Sequence, residues 1–201
     1  MMFRESDRFI KATNMISENQ YRTILDIGCR DKILKKYLNE NVIYQGIDFE
    51  ESYEVIAHNL EEGIPFPDNS FDIVFALDVL EHVENIHLLF SEILRVSKKE
   101  AIIALPNMSY WKFRLRYLKG KDISDKYILP KEKILDRHRW LTSYKSSKAL
   151  VSALSGDFKI VEKKYYYQYN SKLLKWIDLK LSNKFPNLFV YACFFKITKY
   201  E

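Results

Sequence analysis

The sequence predicts a single α/β domain, residues 1–201, built on a mostly parallel, twisted sheet of six to seven strands with helices on both faces. Two observations lead to this prediction. Short apolar runs alternate along the chain with segments whose apolar residues recur at helical spacing, which is the pattern of strands joined by helices. With 201 residues, 47% of them hydrophobic and 29% charged, the chain is long enough for one substantial core.

The first third of the chain supplies the start of this sheet. After a segment with a rough helical stripe, a buried strand is predicted over residues 23–27 and a helix from about Asp31 to Leu38. A second strand is predicted over 42–48. Residues 53–58 could form a third strand, but too few residues precede it for a helical crossover, so we expect a short or irregular sheet edge.

The remaining elements follow from the same patterns. Residues 71–77 and 101–105 are buried apolar runs, and the stripe between them predicts a helix over about 86–96. Thr142 or Ser143 can cap a later helix. The last two strand-like segments could pair antiparallel, and they cover 158–167 and 188–198 with an amphipathic segment between them.

Charge is distributed unevenly along the chain. Residues 1–100 carry 11 Lys/Arg against 19 Asp/Glu, whereas residues 101–201 carry 21 against 8. A basic half is typical of contact with an anionic substrate, a membrane surface or nucleic acid, and a solvated lysine-rich surface gives the same bias. No apolar run approaches a membrane span, and the N-terminus is too charged for a signal peptide. With Cys29 and Cys193 far apart, we expect a reduced cytoplasmic protein.

The segment after the first strand is the most informative. The strand stops at Gly28, where the lack of a Cβ lets a ligand approach the backbone beside unpaired N–H groups. Asp48 ends the second strand twenty residues later, and its carboxylate could accept hydrogen bonds from both hydroxyls of a ribose. An ordinary strand-to-helix turn with a surface acid would contain the same residues.

Five motifs in order resemble the class I S-adenosylmethionine-dependent methyltransferases, over roughly residues 20–167. They are Leu25-Asp-Ile-Gly-Cys29, Gly46-Ile-Asp48, Ile64 to Val74, Val79-Leu-Glu-His-Val83 and Leu105-Pro-Asn107. The chain is most similar to MetW-type proteins and to small methyltransferases of surface-polysaccharide pathways, which share an aromatic, basic insertion and a late Pro-x-Leu-Phe strand, here Pro186 to Phe189. The resemblance implies a Rossmann-like fold and S-adenosyl-L-methionine as cofactor.

The resemblance also implies roles for single residues. Asp26 and Gly28 would frame the methionine end of the cofactor, and Asp48 would accept the ribose hydroxyls. The residues implied around the adenine ring and on the other side of the cofactor are Asn59, Leu60 and Leu77. Arg30 and Lys32 depart from the family, because relatives have glycines there. An outward Arg30 would leave the site intact, whereas an inward one would block it or pair with a carboxylate.

Histidines are the candidates for catalysis, because a base assists methyl transfer when the acceptor is a hydroxyl. His138 lies in the insertion and is the better candidate for a base or a substrate contact, although it could face solvent. His82 lies near the cleft, with a structural role at a helix start as the alternative reading. Glu81 and His82 resemble a metal pair, but two ligands are too few, so no metal is predicted.

Residues 108–141 are predicted to form a lid insertion over the cofactor cleft. The segment follows a strand that ends at Pro106, on the sheet edge where α/β proteins bind ligands, and it is too long for an ordinary connection. The residues that could hold a sugar ring, a phosphate or a lipid-linked headgroup are Trp111, Arg114, Arg116, Arg137, Arg139 and Trp140. Alternatively, these aromatics pack on the core while the arginines reach water.

Three functions remain open at this point. The leading hypothesis is methyl transfer to a small-molecule acceptor such as a sugar or a lipid-linked intermediate, with contact to an anionic substrate or a membrane surface. A degenerate cofactor turn would instead leave a non-catalytic subunit that regulates a biosynthetic enzyme. A nucleic-acid methyltransferase is less favoured, because the chain lacks an Asn/Asp-Pro-Pro-aromatic motif.

Overall fold

The computed structural model describes residues 5–16, 21–129, 131–132, 137–167 and 169–199. A seven-stranded sheet has the order β3-β2-β1-β4-β5-β7-β6. Its strands are β1 (Thr23–Ile27), β2 (Ile43–Asp48), β3 (Val55–Ala57), β4 (Phe71–Leu77), β5 (Ser97–Pro106), β6 (Lys159–Tyr165) and β7 (Ala192–Thr198). β1 to β5 pair in parallel, and β7 is antiparallel to both β5 and β6. The predicted α/β class and the late antiparallel pair are confirmed.

Helices cover both faces of the sheet. They are α1 (Glu5–Thr13), α2 (Ile86–Val96), α3 (Trp111–Leu118), α4 (Tyr144–Leu154), α5 (Lys172–Leu181) and α6 (Pro186–Phe189). Residues of β4 alternate between two apolar clusters, with Val74 in the cluster shared with α2 and α4, and Ile73 in the cluster shared with α1. Within the described ranges, no helix is both long and apolar enough to cross a membrane.

The expected helix from Asp31 to Leu38 is wrong in type. Lys32 has a left-handed backbone conformation with φ 53°, which a right-handed helix cannot contain. The chain forms only a short 3-10 helix, Leu34–Tyr37, after this turn. The apolar spacing was correct for burial, since Leu34 is fully buried.

The sheet edge is short, as expected. β3 still pairs in parallel with β2, although residues 49–54 are too few for a helical crossover. An antiparallel bridge between Ser52 and Val55, next to a left-handed Glu54 with φ 63°, reverses the chain within a few residues. Because β3 has only three residues, this short connection is enough to bring the chain back to the start of a parallel strand.

The segment Pro186–Phe189, expected to begin a late strand, is a helix instead. Its proline occupies the first turn, where a missing N–H costs nothing and the fixed φ suits a helix. Consequently β7 begins only at Ala192. The amphipathic segment before it forms α5, capped by the hydroxyl of Ser171.

Candidate functional site

The candidate cofactor residues lie at or just after the ends of β1, β2, β3 and β4. These strands are parallel neighbours, so their carboxyl ends share one edge of the sheet, the edge where open α/β sheets bind ligands. Gly28 follows β1, Asp48 ends β2 and Leu77 ends β4. The motif order in the sequence therefore corresponds to one place in the fold.

The turn after β1 has the backbone of a glycine-rich turn even where the side chains differ. Gly28 has φ 68°, Arg30 φ 44° and Lys32 φ 53°, so all three positions adopt the left-handed conformation that glycine tolerates best. A Cβ on Gly28 would lie 2.7 Å from Cγ2 of Val79, which excludes larger residues there. Arg30 and Lys32 hold this shape at a conformational cost.

The two long side chains of the turn differ in their surroundings. The Lys32 ammonium donates to the carbonyl oxygen of Tyr53 at 2.7 Å and lies over the Tyr53 ring. Arg30 is exposed, which agrees with the outward one of the two arrangements that the sequence left open.

Asp48 is fixed in orientation by backbone donors. The N–H of Arg30 donates to its Oδ2 at 2.7 Å, and the N–H of Phe49 donates to its Oδ1 at 2.7 Å. The side chain remains half-buried. Each carboxylate oxygen keeps accepting capacity beyond its single backbone bond, so Asp48 can still accept from a ligand.

Asp26 is a buried carboxyl with one strong donor. It is 4% exposed, and the hydroxyl of Tyr44 donates to its Oδ2 at 2.8 Å. Burial raises the pKa of Asp26 to about 7, against the opposing effects of the Tyr44 hydrogen bond and of Arg8. Tyr44 was not predicted from the sequence, because its position diagonal to Asp26 depends on the register between β1 and β2.

A second missed pair lies at the end of β4. A terminal nitrogen of Arg8 donates to Oδ2 of Asp78 at 2.7 Å, and Asp78 has a left-handed φ of 57° directly after the strand. This bond ties α1 to the same sheet edge and brings a cation into the electrostatic environment of Asp26. Nothing in the local sequence of either residue indicates the contact.

The residues implied on the adenine side have structural partners. The side-chain oxygen of Asn59 accepts from the N–H of Glu61 at 3.2 Å, and its amide donates to Glu62 at 3.1 Å. Asn59 thus caps the 3-10 helix Leu60–Glu62. Leu60 and Leu77 are 7% and 6% exposed, which leaves each a small accessible face at the carboxyl edge.

The two candidate histidines meet at this edge. The rings of His82 and His138 lie edge to face with centroids 4.6 Å apart. Both Nε2 atoms face Glu81, at 4.0 Å for His82 and 3.9 Å for His138. Glu81 and His82 belong to the 3-10 helix Leu80–His82 that follows β4. Glu81 and His82 are neighbours in the sequence, and the fold brings His138 to them.

Part of the predicted lid docks beside this cluster. The N–H of Arg139 donates to the carbonyl oxygen of Glu81 at 2.8 Å, and its guanidinium bonds Glu84 at 2.7 Å. The indole of Trp140 donates to the carbonyl oxygen of Val83 at 2.8 Å. Arg137 is exposed. Residues 130 and 133–136 of the predicted lid lie outside the described residues.

The other predicted substrate residues have different neighbours. The indole of Trp111 donates to Asp178 and to the Tyr169 hydroxyl, both at 3.2 Å, and Arg114 donates to the carbonyl oxygen of Ser109. Beside them α3 borders a cavity of about 440 Å³. Its lining includes Tyr110, Trp111, Lys112, Arg116, Tyr167 and Tyr191. The predicted substrate residues thus form two groups.

Comparison with known proteins shows which family model the chain matches and which solved structures share its fold. The family model for methionine biosynthesis protein MetW matches residues 7–197. In a curated bifunctional methionine biosynthesis protein MetXA/MetW of Rhodopirellula baltica, a segment is 41% identical over 66 residues, which is 32% of this chain. This chain matches only 10% of that protein's length.

Solved structures share the fold at low sequence identity. A SAM-dependent methyltransferase from Archaeoglobus fulgidus has a TM-score of 0.62 at 17% identity, covering 96% of this chain and 92% of that one. A possible histamine N-methyltransferase from Thermotoga maritima has 0.60 at 14%, covering 96% and 88%. The small RNA methyltransferase HEN1 has 0.67 at 15%, covering 100% of this chain and 26% of that one. The sheet is therefore that of a Rossmann-like methyltransferase.

Proposed function

The chain belongs to the MetW family, and from this premise we propose that it is an S-adenosyl-L-methionine-dependent methyltransferase that acts on a small-molecule acceptor. The fold supports the reaction class, because the structural neighbours are methyltransferases that use this cofactor. The acceptor class, such as a sugar or a lipid-linked intermediate, rests on the basic and aromatic residues of the lid.

The observation that carries this proposal is the backbone of the turn after β1. Positions 28, 30 and 32 are all left-handed, although two of them carry long side chains. A chain that no longer used the turn would have no need to hold arginine and lysine in a conformation costing about 1 kcal/mol or more each. An outward Arg30, with which its exposure agrees, would leave the face over Gly28 open to a ligand.

The carboxylates around the turn fit the cofactor's polar groups. Asp48, oriented by two backbone N–H groups, would accept the ribose hydroxyls, and Asp26 would attract the ammonium of the methionine end. When bound, the cofactor supplies a methyl group on a sulfonium. The protein's own residues then align the acceptor and exclude water, and in this proposal His82 and His138 contact the acceptor beside the lid.

A turnover assay tests the catalytic claim. With methyl-labelled cofactor and a panel of sugar and lipid-linked acceptors, we expect label transfer by the wild-type protein. Replacing Arg137, His138 and Arg139 together by alanine should abolish transfer and leave cofactor affinity nearly unchanged. Replacing Lys131 and Glu132 by alanine is the matched control, since both are exposed residues of the same connection. Equal turnover by the triple variant and the control variant would contradict the proposed role of the lid.

A non-catalytic partner of a biosynthetic enzyme is the second candidate, favoured by one surface. On α5, Leu173, Trp176 and Leu179 are 64%, 56% and 44% exposed, and they recur every three residues along the helix, so together they would form an apolar patch of the kind that binds a partner. The Rhodopirellula baltica relative joins MetXA and MetW in one chain. Cofactor binding without release of demethylated cofactor, whatever the acceptor, would favour this candidate over the enzyme.

A further inference from the structure

A buried carboxylate faces two histidine rings at the carboxyl end of β4. Glu81 is 0% exposed, and the ligand atoms of Glu81, His82 and His138 all lie within 4.8 Å of one another. One carboxylate and two imidazoles are therefore grouped around a common point, and these are side chains that bind metal cations in proteins.

Hydrogen bonds on the far side of each ring show which nitrogen carries the lone pair. Nδ1 of His82 lies 2.9 Å from the carbonyl oxygen of Arg137, which can only accept, so this Nδ1 carries the hydrogen. Nδ1 of His138 lies 3.1 Å from the Tyr127 hydroxyl. That hydroxyl donates its hydrogen to the carbonyl oxygen of Trp140 at 2.7 Å, so it accepts from His138. In the neutral tautomers, both Nε2 atoms therefore present lone pairs towards Glu81.

Proteins hold transition-metal ions in this way. Ligating histidines donate their other ring N–H to a backbone carbonyl or a similar acceptor, and two imidazoles with one carboxylate suit divalent zinc, iron or manganese. Ligand atoms bound to one ion at about 2.0–2.2 Å lie about 3–4 Å apart. The separations of 3.9 and 4.0 Å from Oε1 of Glu81 are at the upper end of that range, and all three ligand atoms lie within 4.8 Å of one another. The side chains would therefore have to move closer together to bind one ion.

We propose that Glu81, His82 and His138 bind a divalent first-row transition-metal ion. The ion would join the lid to the sheet edge, because two ligands follow β4 and the third lies in the lid. Three protein ligands leave coordination positions for water or for an oxygen atom of a substrate. Selection of an oxygen-bearing acceptor rests on the proposed function, whereas ion binding does not.

Titration of the untagged protein with Co²⁺ tests the site, since the visible absorption of Co²⁺ reports its nitrogen and oxygen ligands. We expect one Co²⁺ per chain, displaced by Zn²⁺. His138→Ala and Glu81→Gln should each lower the affinity by about tenfold or more. His87→Ala is the matched control, because His87 is an exposed histidine on α2 outside the cluster, and it should bind Co²⁺ like the wild type.

Two results would overturn the proposal. One is the absence of a ligand-field spectrum from the wild type at millimolar Co²⁺, and the other is an unchanged affinity in His138→Ala. Circular dichroism of the ion-free variants checks their fold, and His138→Ala decides the outcome if Glu81→Gln does not fold. Calorimetry with S-adenosyl-L-methionine separates the two proposals: ion binding without cofactor binding would remove the proposed function alone, and the reverse would remove the ion site alone.

Discussion

The ring of His138 lies edge to face on the ring of His82, with centroids 4.6 Å apart, although the whole of β5 and α3 separates them in sequence. The contact joins the segment after β4 to the segment before α4. Two hydrogen bonds reinforce it: Nδ1 of His82 donates to the carbonyl oxygen of Arg137, and the N–H of Arg139 donates to the carbonyl oxygen of Glu81. The candidate chemistry of the chain is therefore assembled by long-range folding and not by a local motif.

Glycine at positions 30 and 32 tests the turn after β1. Arg30→Gly and Lys32→Gly should each leave stability unchanged or raise it by up to about 1 kcal/mol, because relief of the left-handed strain offsets the greater freedom of the unfolded chain. The same substitution at Lys36, in the 3-10 helix Leu34–Tyr37, should lower stability by about 0.5–1 kcal/mol. Urea unfolding measures all three, and an equal loss in all three would contradict the account of the turn.

Asp26 should make stability depend on pH. Because burial raises the folded pKa of Asp26 to about 7 from its ordinary value of 3.8, the folded protein keeps a proton that the unfolded chain has lost. This contribution to stability is fully present below about pH 4 and is lost as the pH rises through 7. The free energy of unfolding of Asp26→Asn, relative to that of the wild type, should therefore rise by about 2–3 kcal/mol when the pH is raised from 5 to 8.

The matched control for Asp26 is Asp72, whose pKa is lowered although burial opposes the shift, because backbone N–H groups of Arg22 and Thr23 donate to its carboxylate. Its stabilising effect is complete above its unfolded pKa and disappears only in more acidic solution. Asp72→Asn should thus cost the same at pH 5 and pH 8. An Asp26→Asn effect that is equally independent of pH would show that Asp26 ionises normally.

Asp178 should be essential for the packing of α5. It is 1% exposed and accepts from the Tyr110 hydroxyl at 2.5 Å and from the Trp111 indole at 3.2 Å. Asp178→Ala removes the carboxylate that these two donors share and leaves them only the Tyr169 hydroxyl as a partner, which should lower the free energy of unfolding by about 1–3 kcal/mol. Asp157→Ala, at an exposed carboxylate, should cost little. Thermal unfolding compares the two, and equal melting temperatures would contradict the buried network.

Much of the sheet could be predicted from the sequence, because the spacing of apolar residues within a strand or helix is a local signal. The bounds of β1, β4 and α2 are those that the apolar pattern indicated, since burial on a sheet or on a helix face has a fixed period. The two wrong element types come from local backbone conformations, which the pattern of apolar residues does not show. Lys32 turned an expected helix into a 3-10 turn, and Pro186 began a helix where a strand was expected.

The site was only partly readable from the sequence. Gly28 and Asp48 could be assigned to strand ends from the sequence, because the apolar runs mark those ends in order along the chain, and their role in cofactor binding stays a prediction. Tyr44 and Arg8, which surround Asp26, were missed because their contacts depend on strand register and on the docking of α1. The meeting of His138 with Glu81 depends on the path of the lid, which no periodicity encodes.

Calorimetry of cofactor binding tests the central claim most directly. We expect the wild-type protein to bind S-adenosyl-L-methionine and its demethylated product at one site, and Asp48→Ala to weaken both by about 1–3 kcal/mol, since a charge-assisted acceptor for two hydroxyls is lost. Glu50→Ala removes an exposed carboxylate just after β2 and should bind like the wild type. No binding of either ligand to the wild type at millimolar concentration would contradict the account.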